Sequence, residues 1–196
     1  MTRASEISKQ KDLTEERING LVLAGGYSSR MGSDKSLMVY HGVPQREFLF
    51  RLLKKYCIEV FTSCRKEQQV PSHLNPLYDS VDVPGPLNGI LSALKHRDSA
   101  WLVIAVDMPF VDGAAIEVLL RGRDPNKHAT CFRNPESKEP EPLLTIWEHA
   151  SLRPLTKFAD GGNVSPRDFL RTQSVKMIDP PDAKILMNVN YPGFKI

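Results

Sequence analysis

A chain of 196 residues with 41% hydrophobic and 25% charged residues is long enough for one domain with a buried core, and this composition excludes general disorder. The net charge of +3, without a run of basic residues, argues against a nucleic-acid-binding protein. The charged first twenty residues lack the apolar segment of a secretory signal, and the longest apolar run, residues 100–106, is too short to cross a membrane. We therefore expect a cytoplasmic protein with reduced cysteines, a flexible tail over residues 1–16 and a single domain over residues 17–196.

Hydrophobic patterns divide the chain into alternating strands and helices. In chain order they predict a strand at 18–24, a helix at 45–56, a strand at 58–62, a helix at 86–95, a strand at 101–106, a helix at 114–120, strands at 129–132 and 143–147, and a helix at 165–172. The proline-rich residues 134–142 indicate a loop or hairpin tip, either a flap over a site or a plain surface loop. This order is typical of a three-layer α/β/α, Rossmann-like domain with a mostly parallel sheet.

Ligands of such sheets bind beyond the carboxyl ends of the strands, so the segments after Ala24 and Val106 form the candidate site. The first segment reads GGYSSRMGSDK over residues 25–35. Its paired glycines permit a sharp turn whose backbone N–H groups can bind an anion, and Arg30 and Lys35 add positive charge. The combination suits a nucleoside triphosphate; the alternative is a tight turn without a ligand.

Two common phosphate-binding motifs do not describe this segment. It is not a P-loop, because five residues separate Gly26 from Gly32 and the lysine does not follow Gly32 directly. It is not the GxGxxG dinucleotide motif either, because its first two glycines are adjacent.

The sequence LAGGYSSRMGSDK at residues 23–35 resembles the signature of nucleotidyltransferases and, more narrowly, of the molybdenum cofactor guanylyltransferases. Four further segments resemble the same family in the same order: 79–90 (DSVDVPGPLNGI), 106–109 (VDMP), 140–143 (PEPL) and 188–192 (NVNYP). Two features depart from the pattern: Tyr191 stands where threonine is usual, and few residues follow it. The resemblance implies a nucleotide-diphospho-sugar transferase fold and an Mg²⁺-dependent enzyme that joins GMP from GTP to molybdopterin and releases pyrophosphate.

The resemblance also implies which residues bind the nucleotide and the metal. The nucleotide-binding residues would be Leu23, Ala24, Gly25, Gly26, Lys35, Asp79, Gly85 and Asp107. Asp107 would hold Mg²⁺ at the end of a buried strand, although an aspartate there can also cap a helix. Asp79 would lie near the base and ribose, unless it is an exposed loop acid.

The remaining predicted residues concern the phosphates and the second substrate. Lys35 would contact the α-phosphate and the leaving group, and Arg30 would bind the β- and γ-phosphates; the alternatives are a solvated lysine and an exposed ion pair. Asn188 and Asn190 are candidate substrate-binding residues that would approach the metal and phosphates, although asparagine is also a common turn residue, and Arg167 is a candidate contact for the pterin phosphate.

Other functions remain open on the residues alone. A cytidylyltransferase acting on the same cofactor, a sugar-1-phosphate nucleotidyltransferase and a non-catalytic cofactor-binding module are the alternatives. For the guanylyltransferase, we expect GTP and molybdopterin as substrates and transient contacts with proteins that deliver molybdopterin or receive the product.

Overall fold

The computed structural model describes residues 18–25 and 34–189. Within these ranges the strands are β1 (Ile18–Leu23), β2 (Val60–Cys64), β3 (Pro76–Tyr78), β4 (Ala100–Ala105), β5 (Ala129–Arg133), β6 (Pro140–Trp147) and β7 (Val175–Ile178). The α-helices are α1 (Gln45–Leu53), α2 (Pro86–His96), α3 (Gly113–Arg121), α4 (Leu152–Asp160) and α5 (Pro166–Thr172). Short 3₁₀-helices lie at Lys35–Leu37, Ser72–Leu74, His149–Ser151 and Ala183–Leu186. None of the helices within these ranges has the length and hydrophobicity needed to span a bilayer.

The seven strands form one sheet in the order β3-β2-β1-β4-β6-β5-β7. Strands β1 to β4, and the pair β5 and β7, are joined by parallel ladders. Only β6 runs in the opposite direction among them, since it pairs antiparallel with both β4 and β5. The prediction of a mostly parallel sheet in an α/β domain is therefore confirmed.

The chain changes direction across the sheet between β1 and β4. From β1 it moves outward to β2 and β3, then returns through α2 to β4 on the other side of β1. Helices α1 and α2 pack on opposite faces of the sheet. A methyl group built on Gly20 of β1 would meet Leu53 of α1, and a methyl group built on Gly89 of α2 would meet Leu23 of β1. Because Gly20 and Leu23 are three residues apart in one strand, they face opposite sides of the sheet. A crevice is expected where the strand order reverses, at the carboxyl ends of β1 and β4.

Strand β4 forms the centre of the core. All six of its residues are buried, as are all six of β1, which pairs with it. The continuous apolar run predicted for a strand covered on both faces is therefore confirmed. Because both central strands are fixed by burial along their whole length, the segments that follow them start from well-defined positions.

Some elements differ from their predicted limits. The helix predicted over 45–56 ends at Leu53, and residues 54–56 form a turn. Strands β3 and β7 and helix α4 were not expected from the hydrophobic pattern. The predicted hairpin tip is observed, but its last residues, from Pro140 onward, already belong to β6. The predicted tail over residues 1–16 lies outside the described residues.

Candidate active site

A cavity of about 170 Å³ opens at the carboxyl ends of β1 and β4, where the strand order reverses. Every described residue predicted to bind the nucleotide lies in its wall: Leu23, Ala24, Gly25, Lys35, Asp79, Gly85 and Asp107. Ser63, Gly89 and Leu143 also line it, from β2, α2 and β6. Parts of the chain that are far apart in the sequence thus meet at one crevice.

Lys35 stands at the start of the first 3₁₀-helix, and the preceding residue fixes that start. The side chain of Asp34 accepts a hydrogen bond from the backbone nitrogen of Ser36 at 2.9 Å, which caps the 3₁₀-helix at Lys35–Leu37. Asp34 is therefore the N-cap of the helix that carries Lys35. Ser36 is fully buried, so the helix holds Lys35 against the cavity from a fixed backbone.

Asp107 follows β4 and supplies the main buried charge of the cavity. Burial raises the pKa of its carboxyl group, and the positive charge of Lys35 partly opposes that rise. Its backbone carbonyl accepts from the nitrogen of Val189 at 2.8 Å, which brings the end of the described chain beside β4. Asp107 does not cap a helix, because the N-cap of α3 is Asp112, whose side chain accepts from the nitrogen of Ala115.

The arrangement at Asp107 fits a divalent cation. Its Oδ1 is buried and has no hydrogen-bond partner, which is costly for a carboxylate oxygen unless a ligand completes it. Among residues 18–25 and 34–189, no three His, Cys, Asp or Glu side chains cluster to form a metal cage. A cation here would therefore take most of its ligands from phosphate and water, as is usual for Mg²⁺.

Asp79 lies between β3 and α2, in a loop that is tied down at several points. Its Oδ1 accepts from the Ser63 hydroxyl at 3.3 Å, and burial raises the pKa of its carboxyl group. The next residue, Ser80, donates its backbone N–H to Ser92 Oγ at 2.8 Å, and Ser92 in turn donates to Asn88 at 3.1 Å. The loop is thereby bonded to α2, and Asp79 is a partly buried cavity residue rather than an exposed acid.

Two glycines let α2 begin close to the strands. Gly85 caps the helix with a φ of 76°, a conformation that strains any residue with a side chain. A methyl group built on Gly89 would lie 2.4 Å from Ser63 Oγ and 2.6 Å from Leu23 Cδ2. The first turn of α2 therefore lies directly against the strands that carry the cavity wall.

We expect Gly89→Ala to destabilise the protein by about 1–3 kcal/mol, although alanine favours helix, because the added methyl must push α2 off β1 and β2. Nucleotide binding should weaken as well, since the displaced Leu23 and Ser63 line the cavity. Thermal unfolding with and without nucleotide measures both effects. Gly113→Ala is the matched control: its methyl meets only the Tyr56 hydroxyl, at 2.6 Å, and that long side chain can move away. Equal stability of the two variants would contradict the prediction.

The start of β6 adds an acid, Glu141, which belongs to the PEPL segment of the resemblance but was not predicted to be a site residue. Glu141 is 3% exposed and lies in an irregularity of the β5–β6 ladder, the kind of bulge that re-aims side chains near sites. Burial raises the pKa of Glu141, and the negative charge of Asp107 raises it further, while Arg167 opposes both. Glu141 therefore extends the negative charge of the cavity toward α5.

Arg167 is held at this end of the site without lining the cavity. Its guanidinium lies 3.4 Å from Glu141 Oε2, and its Nε donates to the carbonyl oxygen of Pro140 at 3.3 Å. Its side chain remains 45% exposed, so it can still contact a second molecule. Asn188 is exposed and stands next to Val189, beside Asp107. The predicted residues Gly26, Arg30 and Asn190 lie outside the described residues, and so does Tyr191.

Three comparisons relate this chain to known proteins. Residues 20–177 match the family described as MobA-like NTP transferase domain. The chain is 34% identical over 185 residues to a molybdenum cofactor biosynthesis bifunctional protein of Synechocystis, covering 92% of this chain and 53% of that protein. It is 38% identical over 106 residues to a molybdenum cofactor guanylyltransferase of Pseudomonas entomophila, covering 52% of this chain and 56% of that one. The chain thus spans about half the length of these curated relatives.

A solved structure agrees with the sequence comparisons. Molybdopterin-guanine dinucleotide biosynthesis protein A of Archaeoglobus fulgidus superposes with a TM-score of 0.71 at 25% identity, covering 89% of this chain and 93% of that one. The predicted fold, of the nucleotide-diphospho-sugar transferase type, is therefore confirmed. Since the family match covers most of the chain, including β1, β4 and the cavity between them, this protein belongs to the MobA-like NTP transferase domain family.

Proposed function

We propose that the chain transfers GMP from GTP to molybdopterin, which forms molybdopterin guanine dinucleotide and releases pyrophosphate. The observation that carries the proposal is that Lys35 and Asp107 line the same cavity at the ends of β1 and β4, where the positive charge of Lys35 opposes the rise in the pKa of Asp107. The guanylyltransferase name of a 38% identical relative supports the choice of reaction.

Catalysis of this reaction depends on the stabilisation of negative charge more than on proton transfer. A phosphate oxygen of the acceptor attacks the α-phosphorus of GTP, and pyrophosphate leaves in line. Because the attacking phosphate is already an anion, no strong general base is required. The barrier comes from bringing two polyanions together and from charge that develops on the leaving group, so positioning and electrostatic stabilisation dominate.

Each charged residue then has a distinct task. Lys35 stabilises negative charge on the α-phosphate and the leaving pyrophosphate, and Arg30 binds the β- and γ-phosphates. Asp107 would hold a divalent cation, for which we propose Mg²⁺, through the carboxylate oxygen that has no hydrogen-bond partner. When bound, that ion would supply positive charge that stabilises the phosphates.

We infer from the donor patterns of the two bases that Asp79 selects guanine over cytosine. Guanine presents two neighbouring donors, N1–H and the 2-amino group, whereas cytosine presents one amino donor beside acceptors. An ionised carboxylate only accepts, so Asp79 in the cavity wall matches the guanine edge better. The main competing function is a cytidylyltransferase that acts on the same cofactor.

On the acceptor side, Arg167 is the proposed contact for the molybdopterin phosphate, assisted by Asn188 and Asn190. Glu141 keeps Arg167 near the cavity while half of its side chain stays accessible. We further propose transient contacts with proteins that supply molybdopterin or accept the product. The reaction would take place in the cytoplasm, which accords with three free cysteines, two of them with a pKa raised to about 12 by burial.

A nucleotide panel tests the proposal directly. With Mg²⁺ present, GTP should raise the melting temperature more than CTP, ATP or UTP, because bound ligand stabilises the folded state. Incubation with GTP, Mg²⁺ and molybdopterin should then yield a GMP-linked pterin by mass spectrometry. A CMP-linked pterin or a sugar adduct would replace the guanylyltransferase with one of its competitors, and binding without any product would favour a non-catalytic module.

A further inference from the structure

Gln68, in the turn after β2, bonds to two segments that are remote from it in the sequence. Its Nε2 donates to the carbonyl oxygen of Ala24 at 2.8 Å and to Asp34 Oδ2 at 2.9 Å. Its Oε1 accepts from the backbone nitrogen of Arg65 at 3.3 Å. Since both partners of Nε2 are acceptors, the amide can be oriented in only one way, and all of its hydrogen-bonding groups are used.

The two partners of Gln68 come before and after residues 26–33 in the sequence. Ala24 ends β1 and lines the cavity, and Asp34 caps the 3₁₀-helix that begins with Lys35. Gln68 therefore connects the first strand to the helix that carries the lysine, through a single nitrogen atom.

The surroundings of Asp34 favour the ionised carboxylate that accepts this hydrogen bond. Burial opposes its ionisation, yet the hydrogen bonds from Gln68 and Ser36, together with the charge of Arg46, hold its pKa below the ordinary value. The carboxylate is thus charged at neutral pH and uses one oxygen for Gln68 and the other for Ser36. Bonds to a charged acceptor are stronger than neutral ones, so this link resists displacement.

We propose that Gln68 is a positioning residue for nucleotidyl transfer: by joining Ala24 to Asp34, it sets the place of Lys35 in the cavity. The inference rests on the proposed function, because Gln68 acts only through Lys35 and contacts no reacting atom. A purely structural role would instead lower the stability of the protein without any specific connection to the lysine.

The test compares Gln68→Ala with Gln69→Ala, its exposed neighbour of the same type. We expect Gln68→Ala to lower kcat for GMP transfer about 10- to 30-fold with a smaller change in KM, and Gln69→Ala to stay within twofold of wild type. In a Lys35→Ala background, Gln68→Ala should cause little further loss, because the lysine through which it acts is gone. Losses that multiply, or a Gln68→Ala enzyme with wild-type kcat, would overturn the proposal.

A second variant guards against misfolding. Gln68→Glu has nearly the same shape but cannot donate when ionised, and it sets a second negative charge against Asp34, so it should lose at least as much kcat while remaining folded. Adding Asp34→Asn restores a donor between the two side chains and should recover part of the loss; no recovery counts against the proposal.

The same variants separate this inference from the proposed function. If the wild-type protein forms no GMP-linked pterin, the proposed function fails. Gln68 is then judged by the rise in melting temperature produced by the best-binding triphosphate with Mg²⁺. That rise should shrink in Gln68→Ala but not in Gln69→Ala, and equal rises would overturn the positioning role.

Discussion

Asp107→Asn should abolish most activity and at the same time raise the melting temperature of the metal-free protein. Loss of the carboxylate removes the proposed ligand for the divalent cation, for which we expect a 10²- to 10³-fold fall in kcat/KM, about 3–4 kcal/mol. Stability moves the other way because burial raises the pKa of Asp107, which means that folding disfavours its ionised form.

The expected difference in stability between Asp107→Asn and wild type depends on pH. The penalty from the buried charge is absent below the ordinary pKa of an aspartate, about 4, and grows as the pH rises through the raised value in the folded protein. In the presence of a chelator, the melting temperature of Asp107→Asn minus that of wild type should therefore increase from acidic to neutral pH and then level off. Asp82→Asn, an exposed acid in the loop before α2, should show neither effect. A destabilised Asp107→Asn protein would mean that this carboxylate is structural.

Lys35→Ala should reduce kcat for nucleotidyl transfer by about 10²-fold or more and lower the stability only modestly at neutral pH, because Asp107 loses part of the positive charge that opposes its burial. The lysine is proposed to stabilise charge on the α-phosphate and the leaving group, so its loss should raise the barrier more than it weakens ground-state binding. Lys35→Arg keeps the charge but not the shape and should retain intermediate activity. Lys66→Ala, at an exposed position in the turn after β2, is the matched control.

The pH profile of the residual activity of Lys35→Ala gives a second test. The charge of Lys35 opposes the burial that raises the pKa of Asp107, so removing it should raise that pKa further. The acid limb of the pH profile of kcat/KM, where Asp107 must be ionised to bind the cation, should accordingly move to higher pH than in wild type. An unshifted acid limb would show that the two charges do not interact in the working enzyme.

The central elements could be predicted from the sequence because their own residues specify them. Strand β4 is a continuous apolar run, and α2 and α5 each begin with proline at the first helical positions. The elements that the sequence did not predict lack a long apolar run or a clear start signal. Strand β3 is only three residues long, β7 is mostly half-buried, and α4 has a single fully buried residue, Leu155. Their structure depends on neighbours that are far away in the sequence.

The same distinction holds within the site. Gly25 and Asp107 lie two residues after the ends of β1 and β4, Lys35 begins a 3₁₀-helix, and the resemblance to the family motifs identified all three. Gln68 had no such signal, because its bonds reach 44 residues back to Ala24 and 34 residues back to Asp34. A glutamine in a polar turn has the same sequence appearance whether or not it makes such bonds, so only the folded arrangement reveals it.

The reversed direction of β6 brings its first residues, rather than its last, to the edge where β1 and β4 end. A late stretch of the chain, the start of β6 with Leu143, therefore borders the crevice, and the buried Glu141 lies two residues before it. The β5–β6 hairpin is held in the sheet between β4 and β7 and is bonded to α5 through Arg167. We expect that exchanging residues 134–141 between homologues, together with Arg167, would graft a new acceptor preference onto an unchanged cavity wall, which makes this hairpin a natural crossover unit for chimeras.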